Sequence, residues 1–298
     1  QSAMGLTLAL GYQTPKLRFD IGSTPIGMEV RNLVGGLRWD GDAGPFSYGL
    51  TVSRRPLTSS LLTFGGTRDP GTGEIWGGIL ANGLRLNLSR DKGGTFGFWS
   101  NLSWHALTGE NVPTNDRKIV MAGFYGRLIN QPNRELSLGI NTSYWSFDRN
   151  LGEFTFGHGG YYSPQSYASL SFPVTWEARS TRWAYILRAG ISFSWSRLDD
   201  APYYPGHPNL QADAERLAPV TNVNPWYEGS SSQSTGYGLR GAFEYQLTPH
   251  LFVGGSIEVD RSPFYEPNRG MLYLRYDFEA YGKPLARLPQ TLTPYGDF

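Results

Sequence analysis

The chain has 298 residues, no cysteine and a net charge of +1 from 26 basic and 25 acidic side chains, which excludes a disulfide framework, a thiolate metal site and a large attraction for nucleic acid. Charged residues make up only 17%, aromatics reach 14% and there are 38 glycines, yet mean hydropathy is −0.37 and no apolar run approaches the ~20 residues of a spanning helix. A chain polar on average but rich in aromatics and glycine fits a β-barrel with one apolar face, or a soluble β-sandwich or propeller.

The predicted elements are strands. Leu6 to Gln13 turns through Thr14-Pro-Lys16 into Leu17 to Ile21. Leu33, Leu37 and Trp39 alternate with Val34, Arg38 and Asp40, and Gly41 to Gly44 turns into Phe46, Tyr48, Leu50 and Val52. A connection rich in Thr, Ser and Gly follows to Ile75. Leu84, Leu86 and Leu88 oppose Arg85, Asn87 and Ser89, and Asp91-Lys-Gly-Gly94 is a hairpin signal before Phe96 to His105. Leu107 to Asp116 is read as a polar loop, and Ile119 to Ile129 as a strand with imperfect alternation.

Asn130 to Asn133 turns into Leu136, Leu138 and Ile140. The stretch Gly157-His-Gly-Gly-Tyr-Tyr-Ser-Pro-Gln-Ser-Tyr167 reads as a folded loop. Leu170, Phe172, Val174 and Trp176, then Tyr185, Leu187, Ala189, Ile191, Phe193 and Trp195, form two clean half-apolar strands. Leu198 to Gln233 has no periodicity. Three further strands run over 237–245, 251–259 and 272–278, and a Pro-rich tail closes the chain from Gly282 to Phe298.

Two asymmetries select the membrane barrel. Short turns (91–94, 130–133, 178–182, 248–250) alternate with long loops (57–75, 107–116, 148–165, 198–233, 262–268), as at the two rims of an outer-membrane barrel. The strands also run about 10–14 residues, enough to cross a bilayer when tilted. Trp104, Trp145, Trp176, Trp183 and Trp195 fall near strand ends, where an interfacial girdle belongs. The reading is an all-β, antiparallel transmembrane β-barrel of outer-membrane type spanning 1–281, with the tail 282–298 folded into the lumen or left as a periplasmic extension. About 13 strands are visible, whereas bacterial single-chain barrels use even numbers. Gln1 to Gly5 carries no signal peptide, so an exported protein starting this way would be a mature form or a fragment.

Arg54-Arg-Pro-Leu-Thr-Ser-Ser-Leu-Leu-Thr-Phe-Gly-Gly66, Trp76-Gly-Gly78, Gly159-Gly-Tyr-Tyr-Ser-Pro-Gln165 and Leu288-Pro-Gln-Thr-Leu-Thr-Pro-Tyr-Gly-Asp-Phe298 resemble the C-terminal porin domain of the bacterial cellulose synthase outer-membrane subunit. Asp91-Lys-Gly93, Leu107-Thr-Gly109, Ile129-Asn-Gln131 and Ser231-Ser-Gln233 extend the resemblance along nearly the whole chain. It implies a barrel of roughly 16 strands in a Gram-negative outer membrane, about three of them preceding Gln1. It also implies export of a nascent polysaccharide, cellulose. The implied partners are the glucan chain, the lipid bilayer, a periplasmic tetratricopeptide-repeat region and the inner-membrane cellulose synthase. No helical repeat of that kind lies in this sequence.

A glucan channel needs hydroxyl partners and flat apolar faces. Inward candidates are Trp99, Asn101, Arg188, Arg240, Glu244, Arg275 and Asp277, joined by Arg38, Arg85, Asn87, Asn141 and Glu258. Each could equally hydrate the lumen or brace it as part of a ladder; Trp99 could stack on a sugar or pack against a folded-in loop. Arg54 and Arg55 could anchor the loop after Pro56 or line the exit. Tyr161 and Tyr162 could gate an emerging chain or fix a loop fold. No catalysis, cofactor or metal is expected: Gly236-Tyr-Gly-Leu-Arg-Gly241 lies inside a strand, and the four histidines form no H-E-x-x-H. A general or sugar-selective diffusion porin is the alternative. An outer-membrane hydrolase would need converging His, Ser or Asp that the sequence does not offer.

Overall fold

The computed structural model describes residues 5–261, 268–279 and 288–289. The long loop expected around 262–268 and the tail 282–298 thus lie outside the described residues, apart from Asn268, Leu288 and Pro289. The elements in order are β1 (Ala9–Gln13), β2 (Leu17–Ser23), β3 (Leu33–Ala43), β4 (Phe46–Pro56), α1 (Leu61–Gly65), β5 (Thr67–Arg68), β6 (Ile75–Arg90), β7 (Phe96–Glu110), β8 (Val112–Gln131) and β9 (Arg134–Phe147). There follow β10 (Ser166–Arg179), β11 (Trp183–Leu198), β12 (Ala201–Pro202), α2 (Pro208–Thr221), β13 (Trp226–Tyr227), β14 (Ser230–Gln246), β15 (Leu251–Arg261) and β16 (Asn268–Tyr276).

Among the described residues thirteen strands form one antiparallel meander in the order β1-β2-β3-β4-β6-β7-β8-β9-β10-β11-β14-β15-β16, with β5 paired to the side on β6. Each long strand pairs with its sequence neighbour, so connections alternate between the two rims. No helix among the described residues is long and apolar enough to cross a membrane; the crossing is made by strands.

Side-chain alternation gives the wall two unlike faces. Leu37, Leu50, Leu84, Leu102, Phe124, Ile140, Val174, Ile191, Leu239 and Ile257 point outward and are all exposed, a belt that lipid would cover. Between them Arg38, Asn87, Asn101, Asn141, Arg188, Arg240 and Glu258 point inward in cross-strand register. Trp104, Trp176, Trp183 and Trp195 stand on the outer face. Trp145 does not: it pairs with Ile119 on the inner face and tilts against Tyr167 at 5.1 Å between centroids. The β9 alternation Leu138, Ile140, Tyr144 leaves position 145 no other side.

Two stretches differ from the expected elements. Residues 107–116 are not a loop. β7 and β8 continue through them and close in a tight turn at Asn111, whose positive φ of 47° suits an asparagine. Leu107 and Asn115 pair across this hairpin and are buried. The aperiodic stretch after Leu198 contains α2, started by Pro208 and stopped by left-handed Asn222. The imperfect alternation of β8 reflects Ile119, Met121 and Tyr125 on the face opposite Val120 and Phe124; a bulge between Arg127 and Ile129 breaks the phase only near the strand's end.

Candidate functional site: the lumen wall and its loop cap

At the rim of short turns, the inner wall is held by ion pairs. Arg127 donates from Nη2 to Asp91 Oδ2 at 2.6 Å and from Nη1 to Oδ1 at 3.0 Å, while its Nε meets Glu135 at 3.0 Å. Tyr125 donates its hydroxyl to Asp91. The Arg127 guanidinium therefore holds the Asp91 carboxyl, in the turn between β6 and β7, well below the usual carboxylate range, helped by Tyr125 and the Gly93 N–H. Further round the wall, Arg240 lies 2.9 Å from Glu258 and 2.7 Å from Asp260. Arg188, its cross-strand neighbour, projects exposed into the lumen.

Glu244 is 2% exposed, accepts from Tyr273 Oη at 2.8 Å and pairs with Arg275 at 2.9 Å. Arg275 also donates to Asp277 and lies 4.1 Å over the Phe252 ring. Of the expected lumen residues, Glu244, Arg275 and Asp277 thus form one braced group.

Above this rim the inner wall becomes flat and polar. Asn101 donates to Asn87 Oδ1 at 2.7 Å. Trp99 faces Gly123 across the β7–β8 ladder, and a Cβ at Gly123 would fall inside the indole and the Asn141 amide. The missing side chain lets the ring lie against the backbone. Tyr125 covers Gly97, and Tyr273 covers Gly254, in the same way. Arg55 points inward and grips Asp20 through both carboxylate oxygens. Arg54, one residue earlier, is on the other face, donating to the Leu33 carbonyl at 3.0 Å; it does not line the lumen.

At the opposite rim, three loops interlock into a cap. α1 sits in the loop after Pro56, and its Thr63 donates to the Gly160 carbonyl at 3.2 Å. Gly160 holds a positive φ of 66° that a residue with a side chain would resist. Thr155 donates to Tyr203 O at 2.6 Å and Asn150 to Asp199 O at 2.9 Å, tying this loop to the segment that carries α2. Trp76 packs on Phe156, and its Nε1 donates to His158 O at 3.1 Å.

The two tyrosines of this loop part company. Tyr161 is buried with Ile79, Leu107, Phe147 and Leu151 and accepts from Asn115 Nδ2 at 3.1 Å, so it anchors the cap. Burial pushes its phenol up to about 12. Tyr162 is exposed and lines a cavity with Leu57 and Arg117.

His158 is fully buried; its Nε2 lies 3.0 Å from the Pro202 carbonyl, which can only accept, so the ring carries its proton on Nε2. Burial pushes its pKa from 6.5 down to about 4. A base whose folded pKa is depressed stabilises the fold fully above its unfolded pKa and loses that contribution as pH falls towards the folded value. Acidification from about 6.5 to about 4 should therefore loosen the cap by about 3 kcal/mol. Hydrogen exchange of residues 151–165, corrected for its intrinsic pH dependence, should accelerate across that window. An unchanged rate would refute the assignment.

Among the described residues, no group of three or more His, Asp or Glu converges as a metal site. The family model for the cellulose synthase operon protein C C-terminus matches residues 1–279. The chain belongs to that family. The cellulose synthase operon protein C of Escherichia coli K12 is 40% identical over all of this chain, and that of Xanthomonas axonopodis pv. citri 36% identical over 99% of it. The chain spans 26% and 20% of those two family members. A bacterial polysaccharide outer membrane secretin shares the fold, with a TM-score of 0.53 over 92% of this chain and 79% of that one at 11% identity. With its lipid-facing belt, the family domain in this chain is an outer-membrane β-barrel.

Two further lumen residues, Arg117 and Trp145, are obscured in the sequence. Arg117 directly follows the polar stretch 107–116 that reads as loop, and Trp145 sits near a strand end, where it reads as girdle. Strict alternation from Ile140 and Val120 places both inside.

Proposed function

We propose that the barrel is the passive conduit through which a nascent glucan, cellulose, crosses the outer membrane. A periplasmic repeat region delivers it from the inner-membrane synthase, and no bond is made or broken in the barrel. The observation that carries this reading is the inner wall itself. Trp99 and Tyr125 lie against Gly123 and Gly97, between amide and guanidinium donors. Flat rings flanked by hydrogen-bonding groups suit a ribbon of sugars, whose faces are apolar and whose edges carry hydroxyls.

Single-channel conductance of the full-length protein in planar bilayers tests it. Cello-oligosaccharides should block the current, and Trp99→Ala should weaken the block by about tenfold, the order expected for one lost stacking contact. A current indifferent to them would make the barrel a general diffusion porin instead.

A further inference from the structure

Most inward arginines meet a carboxylate: Arg38 with Asp40, Arg55 with Asp20, Arg127 with Asp91, Arg240 with Glu258 and Arg275 with Glu244. Apart from the exposed Arg18 and Arg188, one group departs from this. His105 and Arg117 are direct cross-strand partners on β7 and β8, and Arg85 projects from β6 one inward step away. Arg85 and Arg117 lie near enough for their charges to act on one another, and among the described residues no ion pair joins either to a carboxylate. A concentration of positive charge without counter-charge costs stability unless something else supplies it.

The same place holds a cavity of about 350 Å³ between the inner wall and the cap, lined by Leu57, Arg117, Ile119, Trp145, Tyr161 and Tyr162. Close by, three polar atoms sealed from solvent have no partner: Arg117 Nε, Trp145 Nε1 and a ring nitrogen of His105, itself 4% exposed. Arg117 lines the cavity and offers donors only, so what its guanidinium lacks is an acceptor. The aromatic walls suit a pyranose face, and the volume suits a single sugar unit.

We infer that this pocket, at the exit end of the lumen, binds a sugar ring bearing an anionic substituent. Arg117 would hold the acid group, with Arg85 adding charge from the strand β6, and Trp145 and Tyr162 would flank the ring. A neutral ring would leave the guanidinium uncompensated. The barrel would therefore hold acid-bearing units of a passing glycan more firmly than plain ones. The inference rests on the conduit reading only for how the sugar arrives.

The test compares a cello-oligosaccharide with the same oligosaccharide whose primary alcohols are oxidised to carboxylates, as blockers of the full-length channel. The acidic form should block at about tenfold lower concentration, as expected for a charge-assisted hydrogen bond. Arg117→Gln and Arg85→Gln should each reduce that advantage. Arg38→Gln, at an arginine already paired with Asp40, should preserve it. Inorganic phosphate should compete only at far higher concentration; competition as strong as the acidic oligosaccharide's would reduce the pocket to a simple anion site and overturn the proposal. Equal block by both oligosaccharides, or a preference that survives Arg117→Gln, would also overturn it. Block by neither would instead sink the conduit reading.

Discussion

Arginine at Ile191 should lower the unfolding stability of the lipid-reconstituted protein by about 2–4 kcal/mol, the cost of a cation on the lipid face of a barrel near mid-membrane. Ile191 lies midway along β11, 43% exposed in the isolated chain, between Phe172 and Tyr237 on neighbouring strands. Those neighbours are apolar, so a guanidinium there has no partner and little water. Arginine at Ser192 should cost under about 1 kcal/mol, since that position faces a polar, wetted lumen beside Ser171 and Gly236. Urea titration followed by tryptophan fluorescence measures both. Equal costs, or a larger cost at Ser192, would mean that the faces are assigned the wrong way round.

A second large loss is expected from Glu244→Ala. The carboxylate is 2% exposed and bonded to Arg275 at 2.9 Å and Tyr273 at 2.8 Å. Its removal leaves the guanidinium short of its bidentate partner in a desolvated place, which costs about 3 kcal/mol. Glu244→Gln keeps an acceptor for Tyr273 and should cost about half as much. Glu258→Ala should cost less than Glu244→Ala, because Glu258 is more exposed and Arg240 retains Asp260 at 2.7 Å. The same urea titration ranks the three. A Glu244→Ala variant as stable as wild type would show that this group does not brace the wall.

What the sequence made legible was governed by period. Leu170 to Trp176 and Tyr185 to Trp195 alternate without interruption, and their strands, pairing and outward face follow from that pattern alone. Where the alternation is broken, the pattern misleads for identifiable reasons. On β8 apolar Ile119 and Met121 face inward opposite Val120 and Phe124, a bulge at Leu128 shifts phase near the strand's end, and the tight turn at Asn111 lies between polar residues that look like a loop. Short polar side chains such as Asn115 signal a turn locally, yet here Asn115 is buried as the fixed point beneath Tyr161. That role depends on a loop 46 residues away in sequence, which no local pattern reports.

The lumen residues divide along the same line. Alternation placed Trp99, Asn101, Arg188, Arg240, Glu244 and Arg275 on one face of their strands. It could not say which of them pair, because pairing depends on strand register: Glu244 reaches Arg275 across the one intervening strand, β15, whereas Arg188 has Arg240 as its direct neighbour. Nor could it separate Arg54 from Arg55, adjacent arginines on opposite faces.

The claim that a glucan passes through this lumen is tested most directly in cells producing the polymer. A photo-crosslinking side chain placed at Trp99 faces the lumen, whereas one at Phe98 faces lipid, paired with Phe124 on the outer wall. Illumination during secretion should attach glucan to the protein carrying the crosslinker at position 99 and leave the position 98 protein free of it. Polymer reaching the cell surface with no adduct at position 99, or with equal adducts at both positions, would contradict passage along this wall.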